Sequence, residues 1–417
     1  MRNTLLIVIV GVGIFVALFV WRGQSQPRSA VNTDKDSRIG TTIKLTPRTV
    51  AFSDGTEATF RLAADFDIAV AAEGLGKARF MTMSPDGRLF IPDMVNWNLS
   101  REGRLLVLDD LDPQTKRFKK QSVYLLNLRG PNSVAFYTDK NGKTWLYLAL
   151  TEALYRYPYT AGDTKPSGER ETIVRFPNKQ SPGAVGIVWH VTRTILFRGD
   201  TLYVSVGSGC NICEQPEDEM RAVILAMDPD GKNERIVASG FKNAVGMDFA
   251  GDTLYATENG VDHLGPDKPD DVMFKIEDGT NYGWPYCYEL ADAKHDETAM
   301  RWSRKNIDCK DVQMSFVSFG PHTAPLGVTY FKDGPPVIRN TFLVALHGSH
   351  DSTLKKGYSV VRVTRDGKQD IFMDGFITES GKRPARPVHI LQLDDDSMLL
   401  SDDHGGRIFY IYEKSSQ

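Results

Sequence analysis

Several things are scarce in this 417-residue chain, and each scarcity removes a class of protein. There is no excess of basic residues: 50 Lys and Arg stand against 53 Asp and Glu, a formal net charge of −3. A nucleic-acid binder usually carries a basic surplus, so no nucleic-acid partner is expected. Cysteine is nearly absent, with four residues, too few for a scaffold built on disulfides. Cys210 and Cys213 form the run CNIC, followed by Glu214 instead of His, which excludes the usual c-type haem attachment. No second CxxC completes a zinc site. His347, Ser349 and His350 in LHGSH, with His322 in FGPHTAP, would allow a Ser-His hydrolase. No G-x-S-x-G elbow occurs anywhere, and nucleophilic hydrolysis is set aside on that ground. Helical periodicity is also nearly missing.

Long apolar runs are absent but for one. Residues 4–21 read TLLIVIVGVGIFVALFVW without a charge, about the length that crosses a hydrocarbon core as a helix. The competing reading is a cleaved signal peptide, but Arg22 and Gly23 follow where small residues would mark cleavage. The expectation is a transmembrane anchor over residues 1–22. A polar, aperiodic linker over 23–45 follows it, then a globular domain over 46–417.

That domain repeats a pattern: an alternating strand, a tight turn often of Asp and Gly, and a second apolar strand ending in polar residues. The copies are ARFMTMSPDGRLFIPDM, NSVAFYTDKNGKTWLYLAL, RTILFRGDTLYVSVGS, VGMDFAGDTLYATENG, LGVTYFKDGPPVIRNTFLVALHGS and PVHILQLDDDSMLLSDDHGG. A third strand follows most of them. One such unit per fifty or more residues describes a propeller blade, so the expected fold is all-β, a six-bladed β-propeller. Leu202, Val204, Val206, Met247 and Phe249 need only a packing role. The Asp-Gly pairs at 86–87, 230–231 and 366–367 are hairpin turns. Residues just after the inner hairpins are different, because radial repetition brings them together at one end of the central channel.

Residues 186–285 concentrate the polar candidates. His190 stands at the start of an apolar strand, with Arg193 three residues on. A lone His there is more often a hydrogen-bonded structural residue than a base. Lys242 and Asn243 precede the strand AVGMDF and taken alone make an ordinary turn. Glu258, Asn259, Gly260 and Asp262, with Asp270 and Asp271 beyond, form an oxygen-rich loop suited to a hard cation, without EF-hand spacing. In an oxidising compartment the simplest reading of the cysteines is two local disulfides, Cys210 with Cys213 in a short loop and Cys287 with Cys309.

Taken together, WHVTRTILF, SGFKNAVGMDF, TENGVD, PDDVMFKIEDGTNYGWP, HTAPLGVTYF, VALHGSHDS and RPVHILQL resemble the glucose/sorbosone dehydrogenases. These are six-bladed quinoproteins that use pyrroloquinoline quinone (PQQ) and calcium. The resemblance spans roughly residues 78–412. It implies His190 as the catalytic base with Arg193 as its companion, and Lys242, Asn243, Asn259, His322 and Arg386 beside the cofactor. Asn259, Gly260 and Val261 fall on the calcium loop, with Asp271 as its acidic partner.

Departures are also visible. Trp189 stands where the soluble glucose enzymes have Asp, Lys242 where they have Arg, and Val261 where they have Pro. His322 and the LHGSH turn stand where those enzymes carry a Thr and a Lys near the cofactor. The pattern is nearer the sorbosone and aldose sugar branch. The implied activity is oxidation of an aldose or related aldehyde by hydride transfer to the quinone, with an electron acceptor that the sequence does not name. The implied setting is a periplasmic domain held at the membrane. The alternative is a membrane-tethered propeller that serves as a binding platform without catalysis.

Overall fold

A computed structural model describes residues 42–96, 100–177, 190–214, 220–301 and 307–414. The expected anchor over 1–22, most of the linker and Trp189 lie outside these residues. Among the described residues no helix is long and apolar enough to cross a membrane.

Six antiparallel blades follow one another along the chain. Blade 1 comprises Thr82–Met83, Leu89–Asp93, Gly103–Leu111 and Phe118–Leu128. Blade 2 comprises Ser133–Thr138, Thr144–Ala149, Ala153–Tyr159 and Glu171–Arg175. Blade 3 is Arg193–Arg198, Thr201–Val206, Val223–Met227 and Arg235–Ser239, extended by Thr280–Asn281. Blade 4 is Ala244–Ala250, Thr253–Glu258, Asp270–Ile276 and Val317–Pro321. Between its last two strands a hairpin of Cys287–Leu290 and Ala293–Asp296 is inserted. Blade 5 is Pro325–Phe331, Thr341–Leu346, Ser359–Thr364 and Gln369–Asp374. Blade 6 is Pro387–Gln392, Ser397–Asp402 and Arg407–Glu413, and its outer strand is Phe66–Ala72 from the start of the domain. Pairing of an early strand with the last one closes the circle and leaves no open seam between the two ends of the domain. The hairpin Leu45–Ala51 and Glu57–Ala63 adds to the outer edge of blade 5.

The period-2 alternation of each strand serves two neighbours at once. In blade 2, Leu146 and Leu148 pack with Phe90, Leu105 and Val107 of blade 1. The intervening Trp145, Tyr147 and Ala149 face Ile195, Leu202 and Val204 of blade 3. Corresponding apolar layers join blades 3 and 4, 4 and 5, 5 and 6, and 6 and 1. Blades buried on both faces need near-continuous apolar strands, and all six residues of Thr341–Leu346 are buried. The six repeats read in the sequence are the inner hairpins of the six blades, and Gly87, Gly231 and Gly367 adopt the positive φ their turns require.

Candidate active site

Each inner strand begins and its partner ends at the same rim of the hub, so the residues there meet across blade boundaries. Six hydrogen bonds run round the ring without a break. From blade 3, the Ser208 N–H donates to the Lys242 carbonyl of blade 4 at 2.8 Å. Asn259 Nδ2 of blade 4 donates to the Pro325 carbonyl of blade 5 at 3.1 Å. Arg386 Nε, at the start of blade 6, donates to the His347 carbonyl of blade 5 at 3.0 Å. Asp403, just beyond blade 6's second strand, accepts from Arg79 Nη1 at the start of blade 1 at 2.6 Å. Arg79 Nε reaches Asn132 Oδ1 of blade 2 at 3.0 Å, and Asn132 Nδ2 returns to the Arg193 carbonyl of blade 3 at 3.0 Å.

His190 sits in this ring at φ +42°. It approaches blade 4 closely because residue 207 is glycine. A Cβ there would lie 2.5 Å from His190 Cβ and 2.7 Å from Asn243 Oδ1, so any side chain would force the two apart. Burial holds the imidazole well below its usual pKa, and the charges of Lys242, Arg193 and Arg221 push the same way. The ring is therefore neutral at pH 7. Arg193 lies behind it, fully buried. Its Nη1 donates to the His190 and Thr192 carbonyls at 2.7 and 2.9 Å, and its Nη2 to the Pro177 carbonyl at 3.3 Å. These contacts shape the turn that carries His190.

Lys242 is buried, and its ammonium donates to the Gly260 carbonyl at 2.6 Å and to Asp262 Oδ2 at 3.1 Å. Asn243 Nδ2 donates to Asn259 Oδ1 at 3.3 Å. The carboxylates of the oxygen-rich loop divide by role. Glu258 turns back to accept the Lys242 N–H at 2.6 Å and the Asn243 N–H at 3.2 Å, capping the GFKN turn. Asp271 accepts the Gly260 N–H at 2.6 Å and the Ala324 N–H at 2.7 Å, locking the loop to blade 5. Burial raises the Asp271 pKa. Val261 is buried beside Trp284 and the Cys210–Cys213 disulfide. His322 Nε2 pairs with the Gly265 carbonyl at 2.8 Å, at the far end of the same loop.

Arg386 occupies the other side of the hub. Besides His347 it reaches the Gly348 carbonyl through Nη2 at 2.6 Å. His347 Nε2 lies 2.8 Å from Asp403 Oδ1. Burial lowers the His347 pKa to about 4 in spite of that carboxylate. The His347 and Arg79 charges hold Asp403 well below its usual range against the cost of burial. Asp402 is pushed up to about 7 and Glu258 to about 8, both by burial. The hub thus gathers the cations Lys242, Arg193, Arg221, Arg79 and Arg386, of which Lys242 is paired with Asp262 and Arg79 with Asp403, and positive charge in such number suits an anionic ligand.

Arg79, Asn132, Ser208 and Asp403 were not singled out by the sequence. Their only signal was place: each stands within three residues of an inner hairpin.

Glu258 carries a pH signature. Its folded pKa lies above the unfolded value, so the folded protein holds a proton that the unfolded chain releases, and stability falls as pH rises from about 4.5 to about 8. Gln keeps an acceptor for both N–H groups and cannot ionise. In Glu258→Gln protein the decline in melting temperature over that range is expected to be shallower than in the parent; equal slopes would refute the assignment.

A family model described as TrAA12-like matches residues 60–414. A curated protein of Borreliella burgdorferi, described as uncharacterized, is 30% identical over 226 residues. Those residues are 52% of this chain and 58% of that protein, so the chain spans less than two thirds of that relative. Among solved structures, the calcium structure of a Trichoderma reesei Carbohydrate-Active Enzymes Family AA12 protein superposes with a TM-score of 0.70 at 18% identity, over 91% of this chain and all of that one. The holo form of the Pyranose Dehydrogenase PQQ domain from Coprinopsis cinerea gives 0.64 at 19% identity, covering 85% of this chain and 97% of that one. At such identities the superpositions speak to the fold.

Proposed function

The chain belongs to the TrAA12-like family, and from that premise and the cationic hub we propose that it is a quinoprotein oxidoreductase that oxidises an aldose or related aldehyde. The observation that carries the reading is the gathering of buried cations around a neutral His190 at one rim of the channel. The names of the two solved neighbours, one a pyranose dehydrogenase domain with PQQ and one with calcium, support the same class.

The residues present suit the quinone; to calcium they offer oxygen donors, without a cluster of three His, Cys, Asp or Glu side chains among the described residues. Pyrroloquinoline quinone carries three carboxylates, and Lys242 and Arg386 offer charge-assisted donors from two blades. The buried Arg193 Nε has no hydrogen-bond partner among the described residues, so the hub holds donor capacity to spare. For calcium, the Gly260 carbonyl and Asp262 carboxylate are hard oxygen donors that already draw in a cation, the Lys242 ammonium. Calcium at this loop would share those oxygens with Lys242, or displace it.

The bound quinone would supply the two-electron acceptor. The chain does the rest. Arg193 and Gly207 fix where His190 stands, and Lys242, Asn243 and Arg386 orient the cofactor. Neutral His190 takes the proton of the substrate hydroxyl at its unprotonated ring nitrogen as the hydride leaves carbon. Two disulfides support an oxidising, extracytoplasmic setting, with residues 1–22 as the anchor.

Purified protein given pyrroloquinoline quinone and calcium is expected to reduce a dye when an aldose is added, and to do nothing without the quinone. Lys242→Ala should weaken quinone binding by roughly tenfold or more, the effect of one charge-assisted hydrogen bond, while slowing the saturated enzyme less. Absence of quinone binding in the parent protein would sink the reading.

A further inference from the structure

A neutral imidazole carries one proton, and its place decides which ring nitrogen can act as a base. At His190 Nδ1 the directions of the described hydrogen bonds agree on one solution. Its Nδ1 lies 2.8 Å from Ser208 Oγ and 3.2 Å from the Ser208 carbonyl oxygen. A carbonyl can only accept, so the shared proton belongs to Nδ1. Ser208 Oγ in turn lies 2.6 Å from the Cys210 carbonyl, again an acceptor only, so the hydroxyl proton points there and the Oγ lone pair faces Nδ1. The three groups form a directed chain, from Nδ1–H to Oγ–H to the Cys210 carbonyl. Reversing either donor would set two lone pairs against each other at hydrogen-bond distance.

Both ends of the chain are fixed. Ser208 is fully buried, and its own N–H is tied to the Lys242 carbonyl at 2.8 Å. The Cys210 carbonyl lies in the short loop closed by the Cys210–Cys213 disulfide. That loop is held from outside: Trp284 Nε1 donates to the Asn211 carbonyl at 3.2 Å, and the Asp262 N–H donates to Asn211 Oδ1 at 3.1 Å.

Resting on the oxidoreductase reading above, we infer that Ser208 is a positioning residue that fixes His190 as the Nδ1-protonated tautomer, so that Nε2 is the basic nitrogen, and that the Cys210–Cys213 loop holds Ser208 in that role. The CNIC run, which suits neither haem nor zinc, then has a place in the chemistry: its disulfide anchors the last acceptor of the chain behind the base.

The test uses the full chain with ¹⁵N-labelled histidine, loaded with pyrroloquinoline quinone and calcium, and His190→Ala protein to assign the signal. In the parent, the His190 nitrogen spectrum should show the proton on Nδ1. Ser208→Ala should admit the other tautomer to a measurable share, because only the longer bond to the residue 208 carbonyl remains. The same variant should lower kcat about tenfold, the usual effect of one lost hydrogen bond, with KM within about twofold and quinone binding unchanged. Ser208→Thr, which keeps the hydroxyl, should restore both readouts. Cys210→Ser/Cys213→Ser, which leaves Ser208 in place but opens the loop, should move them in the same direction as Ser208→Ala. A parent spectrum with the proton on Nε2 overturns the inference, as does a Ser208→Ala enzyme with parental kcat. An Nδ1 proton in a parent protein that shows no quinone-dependent turnover would overturn the functional reading and leave the tautomer assignment standing.

Discussion

Replacing His190 with Ala is expected to lower turnover by about 10² or more while leaving quinone binding nearly intact. The residue is asked to move a proton, and general-base catalysis supplies about 10² to 10⁴ in rate. In the proposed reading cofactor retention falls instead to Lys242, Asn243 and Arg386, which His190 does not contact among the described hydrogen bonds. The pH dependence has a fixed sign. A base must be unprotonated, and burial with neighbouring positive charge keeps His190 neutral to well below 6.5. The acid limb of kcat is therefore expected below pH 6.5, with no loss as pH rises from 6.5 toward 8 from this group. The competing base in the hub is His347, which has a carboxylate partner in Asp403 where His190 has a hydroxyl. Dye reduction by His190→Ala and His347→Gln decides between them. Near-parental turnover in the first with a collapse in the second would transfer the role to blade 5.

The propeller was legible because its physics is periodic. Each blade is buried on both faces, so every inner hairpin repeats the same apolar alternation and turn, and six repeats gave six blades. The location of the candidate site follows from the same rule, since hairpin ends must meet at the hub. What each side chain does there was less legible. Glu258 reads as an ion ligand from its run with Asn259 and Gly260, yet in space it caps the Lys242 turn. Arg193 reads as the catalytic companion of His190, and its described hydrogen bonds are all to backbone carbonyls that shape the His190 turn. Both differences arise because a strand-end residue can point along the ring or into the channel, and one residue of register decides which. The ring of Arg79, Asn132 and Asp403 draws one member from each of three blades. No local pattern marks such a set, because no two members are neighbours in sequence.

Removal of the Cys287–Cys309 disulfide should have the largest effect on stability. The bond closes a loop with a sequence separation of 22, which in the chain-entropy account is worth about 3 kcal/mol, or roughly 10² in the unfolding equilibrium. The inserted hairpin it ties has only two strands, and such a unit is marginal in water by itself. It also carries a charged pair into the interior: Lys294 Nζ lies 3.2 Å from Glu289 Oε2, both side chains nearly fully buried. Burial lowers the Lys294 pKa, so solvation pulls that ammonium outward and the cross-link resists it. Lys294, Glu289 and Cys287 line the same cavity as Lys242, Glu258 and Gly260, so a loosened hairpin would disturb the proposed cofactor site. In Cys287→Ser/Cys309→Ser protein, denaturant unfolding should show the loss of about 3 kcal/mol. Hydrogen exchange should rise first in the residue 287–296 hairpin, and quinone should bind more weakly. Thiol labelling of the unreduced parent in denaturant, taken from its native compartment, supplies the control: no cysteine should label. Free labelling of all four would mean that the bonds do not form there, and would overturn both this stability claim and the extracytoplasmic placement.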